Sequence, residues 1–250
     1  MEDLDSTLRK GPFWSNLPPV CELNNHEVHL WIAELPRHMD RYGEYRGLLT
    51  EEEQQREAQF KTSILKKHFS LSRALLRLLL RRYIHPIPVD FSYGKYGKPY
   101  LKYNPSCVQF NLSHSHNLTV YAITKDIPLG VDIEYITNDI LTNELQEMIF
   151  SQDEKEKFCL LKKEQQNLAF FRAWTCKEAF LKATGVGLSR SLHDIEVAFS
   201  PSEQPGIVRI DGEVGQSKDW SVVVLDQNPG YLGALAVQTS AINLTIYDYL

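Results

Sequence analysis

WTCKEAFLKATGVGL, residues Trp174 to Leu188, reads as a helix that sets a carboxylate between two lysines and stops on a glycine-rich turn. Glu178 and Lys182 are four apart and share a helix face, with Lys177 at the adjacent position. Gly185 falls where a left-handed residue ends a helix, and Gly187 loosens the chain just beyond it. An exposed Glu/Lys pair on an ordinary amphipathic helix would contribute only about 0.2–0.5 kcal/mol. Two other segments point to more than that.

The first is Gly130-Val131-Asp132-Ile133-Glu134. Side chains alternate across a strand, so Asp132 and Glu134 project to one face while Val131, Ile133 and Tyr135 project to the other. Two carboxylates about 6 Å apart at an effective dielectric near 20 repel by about 3 kcal/mol. A partly buried pair must therefore bind a cation, share a proton or find basic partners; on a solvated edge strand the charges would simply face water. If the Glu178 helix packs against this strand, three carboxylates converge with open positions for water and phosphate oxygens, the setting of magnesium. No imidazole or thiolate is needed, which disfavours zinc.

The second is Phe110-Asn111-Leu112-Ser113-His114-Ser115, which offers hydroxyls, an imidazole and turn amides as donors to phosphate. A catalytic Ser/His pair is the competing reading, but no nucleophile-elbow pattern surrounds Ser113 or Ser115. Upstream, Lys66, Arg73, Arg77 and Arg81 fall within one arc of a helical wheel, with Ser70 on the same arc. The far end of that stripe reads as a solvated face opposite Leu71, Leu75 and Leu78, while its first turns suit phosphate.

Working outward, His26 to Ile32 alternates as a strand. Thr50 and Glu53 form a capping-box start for a helix over Glu51 to Phe60, and a second helix spans Ile64 to Tyr83, before Pro86 and Pro88. Phe91 to Leu101 is a loop entering a strand. Val108 to Leu112 and Leu118 to Thr124 are strands flanking a Ser113–His116 turn, and Leu129 to Ile136 is another strand. Helices follow around Asn138 to Phe150 and Gln152 to Lys163, then strands at Ile195 to Phe199, Trp220 to Leu225 and Leu232 to Val237. This order, strand–helices–strands twice over, predicts an α+β fold of two similar halves, residues 1–127 and 128–250, joined near Ile127 and Pro128. No residue-level repeat is visible.

With 250 residues, 43% hydrophobic and 24% charged, the chain has the composition of an ordinary globular protein. A net charge of -5 argues against general affinity for nucleic acid or anionic membrane, so any anion site must be local. The longest apolar stretches are broken by arginine, and Met1 to Lys10 resembles neither a signal nor a transit peptide. Cys21, Cys107, Cys159 and Cys176 have no paired spacing, so a reducing cytoplasm is expected.

Together these segments resemble the surfactin-type 4'-phosphopantetheinyl transferases, which activate carrier proteins by transferring an arm from coenzyme A. The matching pieces are GKPYL at Gly97 to Leu101, FNLSHS at Phe110 to Ser115, GVDIE at Gly130 to Glu134, and the WTCKEAFLKATGVGL helix. The resemblance implies two α+β halves related by a pseudo-twofold axis, a cytoplasmic monomer, and coenzyme A with magnesium in the cleft between the halves. It makes Asp132, Glu134 and Glu178 metal ligands and Lys182 the lysine at the coenzyme A phosphates, with Lys177 its neighbour in the helix motif. Ser113, His114 and Lys98 match phosphate contacts, and Arg56, Lys61 and Ser70 fall where the family places further ones.

On this reading a carrier serine attacks the β-phosphate of coenzyme A and releases adenosine 3',5'-bisphosphate. Lys182 neutralises charge on the bridging oxygen, and Glu178 is the candidate base, directly or through a metal-bound water. An acidic apo acyl or peptidyl carrier would dock on Tyr135 to Phe150, where Ile140, Leu141, Leu145, Met148 and Ile149 exceed what one helix need bury; core packing is the alternative there. A metal-dependent pyrophosphate hydrolase and a non-catalytic nucleotide- or phosphate-binding protein are the rival functions.

Overall fold

The computed structural model describes residues 21–137 and 143–247, with Leu188 as backbone only. Strand β1 (Glu27–Glu34) is followed by two short helices, α1 (Tyr42–Arg46) and α2 (Glu51–Ala58), and by the long α3 (Ser63–Ile84). A hairpin of β2 (Phe91–Tyr93) and β3 (Pro99–Leu101) then leads to β4 (Val108–Ser115) and β5 (Leu118–Lys125). The pattern starts again at β6 (Leu129–Tyr135), followed by α4 (Asn143–Ile149), α5 (Gln152–Cys159) and the long α6 (Lys163–Thr184). A second hairpin of β7 (Ile195–Ala198) and β8 (Gly206–Ile210) precedes β9 (Ser221–Leu225) and β10 (Tyr231–Val237). β11 (Asn243–Tyr247) closes the described chain.

The α+β expectation holds, and the strand order repeats. β1, β5 and β4 lie side by side in one sheet, and β6, β10 and β9 do so in the other, every one of these neighbours antiparallel. β11 crosses back to pair parallel with β1, so the last described strand completes the sheet that holds the first. Each long helix covers one sheet face, with a separate apolar core beneath it. A third core joins the sheets, where Val28, Leu30 and Ile32 meet Val131, Ile133 and Leu235. Burial of these side chains, each worth about 1.5–3 kcal/mol, fixes which face of β1 and β6 points inward.

A repeat at residue level, invisible in the letters, appears in the contacts. Thr50 and Ser151 each cap a short helix in a capping box whose third residue is Glu53 or Glu154. Both glutamates are buried, and each receives a cation from the fifteenth residue of the following 22-residue helix: Arg77 at 3.0 Å and Lys177 at 2.5 Å. That cation also donates to a carbonyl just before the next hairpin, Val89 at 2.5 Å and Leu192 at 3.0 Å.

Three expectations change. Ser113 to Ser115 continue β4, with Ser115 paired to Leu118, so the reversal falls at His116 and Asn117; pairing with β5 outweighs the turn preference of small polar residues. The helix expected over Gln152–Lys163 ends at Cys159, because Lys162 is extended before α6. Arg73 and Arg77, expected on the solvated arc or its phosphate-binding turns, are buried against Glu53 and the Phe91 ring. Residues 138–142 of the helix expected from Asn138 lie outside the described residues. Among the described residues, no helix is long and apolar enough to cross a membrane.

Candidate active site

β6 and α6 form one wall of the site. Gly130 makes their contact possible: a Cβ there would lie 2.1 Å from the Ala179 carbonyl oxygen and 2.3 Å from the Ala183 amide, so only glycine lets the helix lie flush. From that wall β6 presents Asp132 and Glu134, and α6 presents Trp174, Glu178 and Lys182 at intervals of four. The left-handed Gly185, φ +71°, ends the helix as its sequence predicts.

β4 lies alongside β6 in the other sheet, and its alternate side chains reach across. The Asn111 amide oxygen accepts the Val131 N–H at 2.9 Å, and Ser115 Oγ accepts the Tyr135 N–H at 3.0 Å. Ser115 also donates to Glu134 at 2.8 Å, and the Trp174 indole N–H points at the other Glu134 oxygen at 3.4 Å. Between them Ser113 donates to Asp132 Oδ1 at 2.9 Å, while Lys182 Nζ lies 2.6 Å from that oxygen and donates to Ser113 Oγ at 2.8 Å. The lysine satisfies only part of the acidic charge. Asp132 Oδ2 and Glu178 Oε1 are buried with no hydrogen-bond partner.

The carboxyls respond to this crowding. Desolvation first and the Asp132 charge second raise the pKa values of both Glu134 and Glu178 above the ordinary carboxylate range. Opposite stand Arg56, Arg73 and His114, closing a cleft of about 410 Å³. Although His114 is exposed at the cleft wall, desolvation, then the Lys182 charge, holds its imidazole below the usual value. Arg73 is 8% exposed, lies over the Phe69 and Phe91 rings, and keeps one terminal nitrogen without a partner. A buried guanidinium with an unused donor, lining a cleft that also holds carboxylates, suits a phosphate that bridges both walls.

The all-oxygen donor set fits a hard divalent cation, and the two partnerless oxygens are the atoms such an ion would satisfy. Among the described residues, however, no three His, Cys, Asp or Glu side chains already form a metal cage. Asp132, Glu134 and Glu178 share one wall, with Lys182 paired to Asp132.

The other expected ligands divide. Ser113, His114 and Lys182 line the cleft, and Arg56 stands exposed at its rim. Lys61 is exposed and is not part of the lining. Lys177 is a correction: its amine is 0% exposed and donates to the Ile149 and Leu192 carbonyls and to Glu154, using all three hydrogens inside the protein. Ser70 is another, fully buried beside the Tyr42–Glu57 hydrogen bond and not part of the cleft lining. Lys98 is not part of this lining; with Gly97, Pro99 and Lys182 it lines an adjoining cavity of about 220 Å³, and its amine donates to two backbone carbonyls. Sequence reasoning missed Trp174 as part of the site, and held Asn111, Ser115 and Arg73 only as members of a donor-rich segment and a basic arc. The period-two run 111, 113, 115 and the four-residue step from Trp174 to Glu178 were the available signals.

Residues 128–236 match the family model of the 4'-phosphopantetheinyl transferase superfamily. The chain is 33% identical over 228 residues to the 4'-phosphopantetheinyl transferase HetI of Nostoc sp., covering 90% of this chain and 93% of that protein. It is 30% identical over 218 residues to a putative 4'-phosphopantetheinyl transferase of Synechocystis sp., covering 82% and 86%. Similarity to the 4'-phosphopantetheinyl transferase Sfp of Bacillus subtilis is 31% identity over 143 residues, 57% of this chain and 60% of that one.

Proposed function

Because the chain belongs to the 4'-phosphopantetheinyl transferase family and is an enzyme of that class, we propose that its cleft transfers the phosphopantetheine arm of coenzyme A to a serine of an apo acyl or peptidyl carrier, in the surfactin-type manner. The observation that carries this reading is the meeting of Asp132, Glu134, Glu178 and Lys182 on one wall, with Arg56, Arg73 and His114 on the other. The acidic wall would hold a hard divalent cation beside the diphosphate; the basic wall suits the remaining phosphate.

The serine oxygen bonds to the β-phosphorus, the bond from that phosphorus to the bridging oxygen breaks, and adenosine 3',5'-bisphosphate leaves. Glu178 takes the serine proton. Lys182, fixed by Ser113 and Asp132, sits where negative charge grows on the leaving oxygen. Ser115 and Trp174 hold Glu134 in its rotamer. Magnesium held by Asp132, Glu134 and Glu178 would supply Lewis-acid charge stabilisation at the diphosphate.

In this proposal residues 1–127 and 128–250 are halves related by a pseudo-twofold axis, and one cytoplasmic chain carries a complete site as a monomer. The repeated strand order supports the two related halves. The carrier would dock on Tyr135 to Phe150. There Tyr135 and Met148 are exposed, 41% and 49%, whereas Ile149 is core and Leu145 packs on it; Ile140 and Leu141 lie outside the described residues.

Mixing the protein with coenzyme A, magnesium and an apo carrier, then weighing the carrier, tests the function. An added arm is expected. Free phosphopantetheine would mean a hydrolase, and no change a binding protein.

A further inference from the structure

We propose that Lys98 is a positioning residue for the transfer reaction: it locks the last turn of α6 to β6 and to the β2–β3 hairpin, and so sets where Lys182 stands. The inference rests on the functional reading of Lys182 given above.

Gly97 and Pro99 line the cleft, while Lys98 lies beside it and lines, with them and Lys182, an adjoining cavity of about 220 Å³. There Lys98 Nζ donates to the Ala183 carbonyl at 3.0 Å and to the Leu129 carbonyl at 3.1 Å. Ala183 is among the last four residues of α6, whose carbonyls have no partner within the helix. Leu129 is the first residue of β6. One ammonium therefore ties three elements at a single point. Its methylenes run beside the left-handed helix cap, with Lys98 Cδ 3.5 Å from where a Cβ on Gly185 would be.

Lys182 is the residue next to Ala183, and its amine reaches the other way, to Asp132 and Ser113. Gly130 packs against the same turn, so the turn has little freedom on the β6 side. On the hairpin side, Lys98 holds it through the Ala183 carbonyl, while Tyr96 packs on Gly187 just beyond the helix. Burial pushes this amine down to a pKa of about 8. A charge kept against that desolvation does what an apolar chain of equal length cannot, which is to donate to two carbonyls.

The test compares the full chain with Lys98→Met, Lys98→Arg, Lys182→Ala and the Lys98→Met/Lys182→Ala double variant. It measures kcat for carrier modification and, by calorimetry, the Kd of coenzyme A with magnesium. Lys98→Met is expected to lower kcat by about tenfold or more through misplacement of Lys182, with Kd changed less than about threefold. Lys98→Arg, which keeps two donors, should recover most of kcat. The double variant should be no slower than Lys182→Ala alone, since the two substitutions remove one arrangement. A Kd weakened about tenfold at unchanged kcat would instead make Lys98 a phosphate ligand. Multiplying losses, or full activity in Lys98→Met, would likewise overturn the proposal. If Lys98→Met does not fold, the kcat of Lys98→Arg decides, a loss as deep as that of Lys182→Ala counting against the lock. If the unaltered chain transfers nothing, the functional reading fails by itself, and slower hydrogen exchange at residues 181–186 in Lys98→Arg than in Lys98→Met still reads the lock.

Discussion

Replacing Lys177 by methionine separates a folding role from a ligand role. The amine is 0% exposed and serves Glu154 and the carbonyls of Ile149 and Leu192. Methionine fills a similar volume but donates nothing. Each carbonyl left dry costs about 1–3 kcal/mol, and removing one member of a buried ion pair costs about 3–5 kcal/mol in total, the carbonyl losses included. Glu154 keeps the Ser151 and Val197 amides as donors, which softens the loss, so about 3–4 kcal/mol is expected. Burial already holds the Lys177 pKa below the usual lysine value, with Glu154 opposing, so removing both charges should be milder than removing one. Urea unfolding of Lys177→Met, Glu154→Gln and the double variant at neutral pH measures this, with unchanged m-values required. The twin substitution Arg77→Met should cost less, because Arg73 remains 3.4 Å from Glu53. A loss below about 1 kcal/mol in Lys177→Met, or weakened coenzyme A binding at unaltered stability, would refute the reasoning.

Gly130→Ala should destabilise by about 3 kcal/mol or more, as a Cβ there would overlap backbone of α6; a near-native thermal midpoint would mean the helix is free to retreat. The raised pKa values of Glu134 and Glu178 mean that the folded state holds their protons to higher pH than the unfolded one, so stability falls as pH climbs from the unfolded value through the folded ones. Magnesium should therefore raise the melting temperature more near pH 7.5 than near pH 5, and a full shift surviving in Asp132→Asn would reject this site for the ion. Lys98 has the opposite sign: between its folded pKa of about 8 and the unfolded 10.5 the unfolded chain binds more protons, so stability should rise there by about 3 kcal/mol. Lys98→Met should abolish that rise, and parallel pH profiles for the two proteins would disprove it.

Much of the site was legible because it sits on regular periods. The two-residue alternation of Asp132 and Glu134 and the four-residue step from Glu178 to Lys182 required only a strand and a helix in contact. What stayed hidden depended on tertiary facts. Lys177 and Lys182 are both lysines on one helix, and only the buried partner Glu154 tells that one faces the core. Arg73 and Arg77 looked like a solvated arc because their counter-ion, Glu53, lies on another helix. The internal repeat escaped notice because the same device is built from Thr50, Glu53 and Arg77 once and from Ser151, Glu154 and Lys177 the second time.

The join between the two sheets carries a mechanical consequence. Among the described residues, β4 and β6 share no backbone–backbone hydrogen bond; Asn111, Ser113 and Ser115 span the gap. A ladder of amides resists sliding because its bonds shift register together, whereas hydroxyls and a carboxamide swivel about their own torsions. The spine of the molecule is thus a row of side-chain pivots backed by an apolar pad, softer to shear than the amide ladders on either side of it.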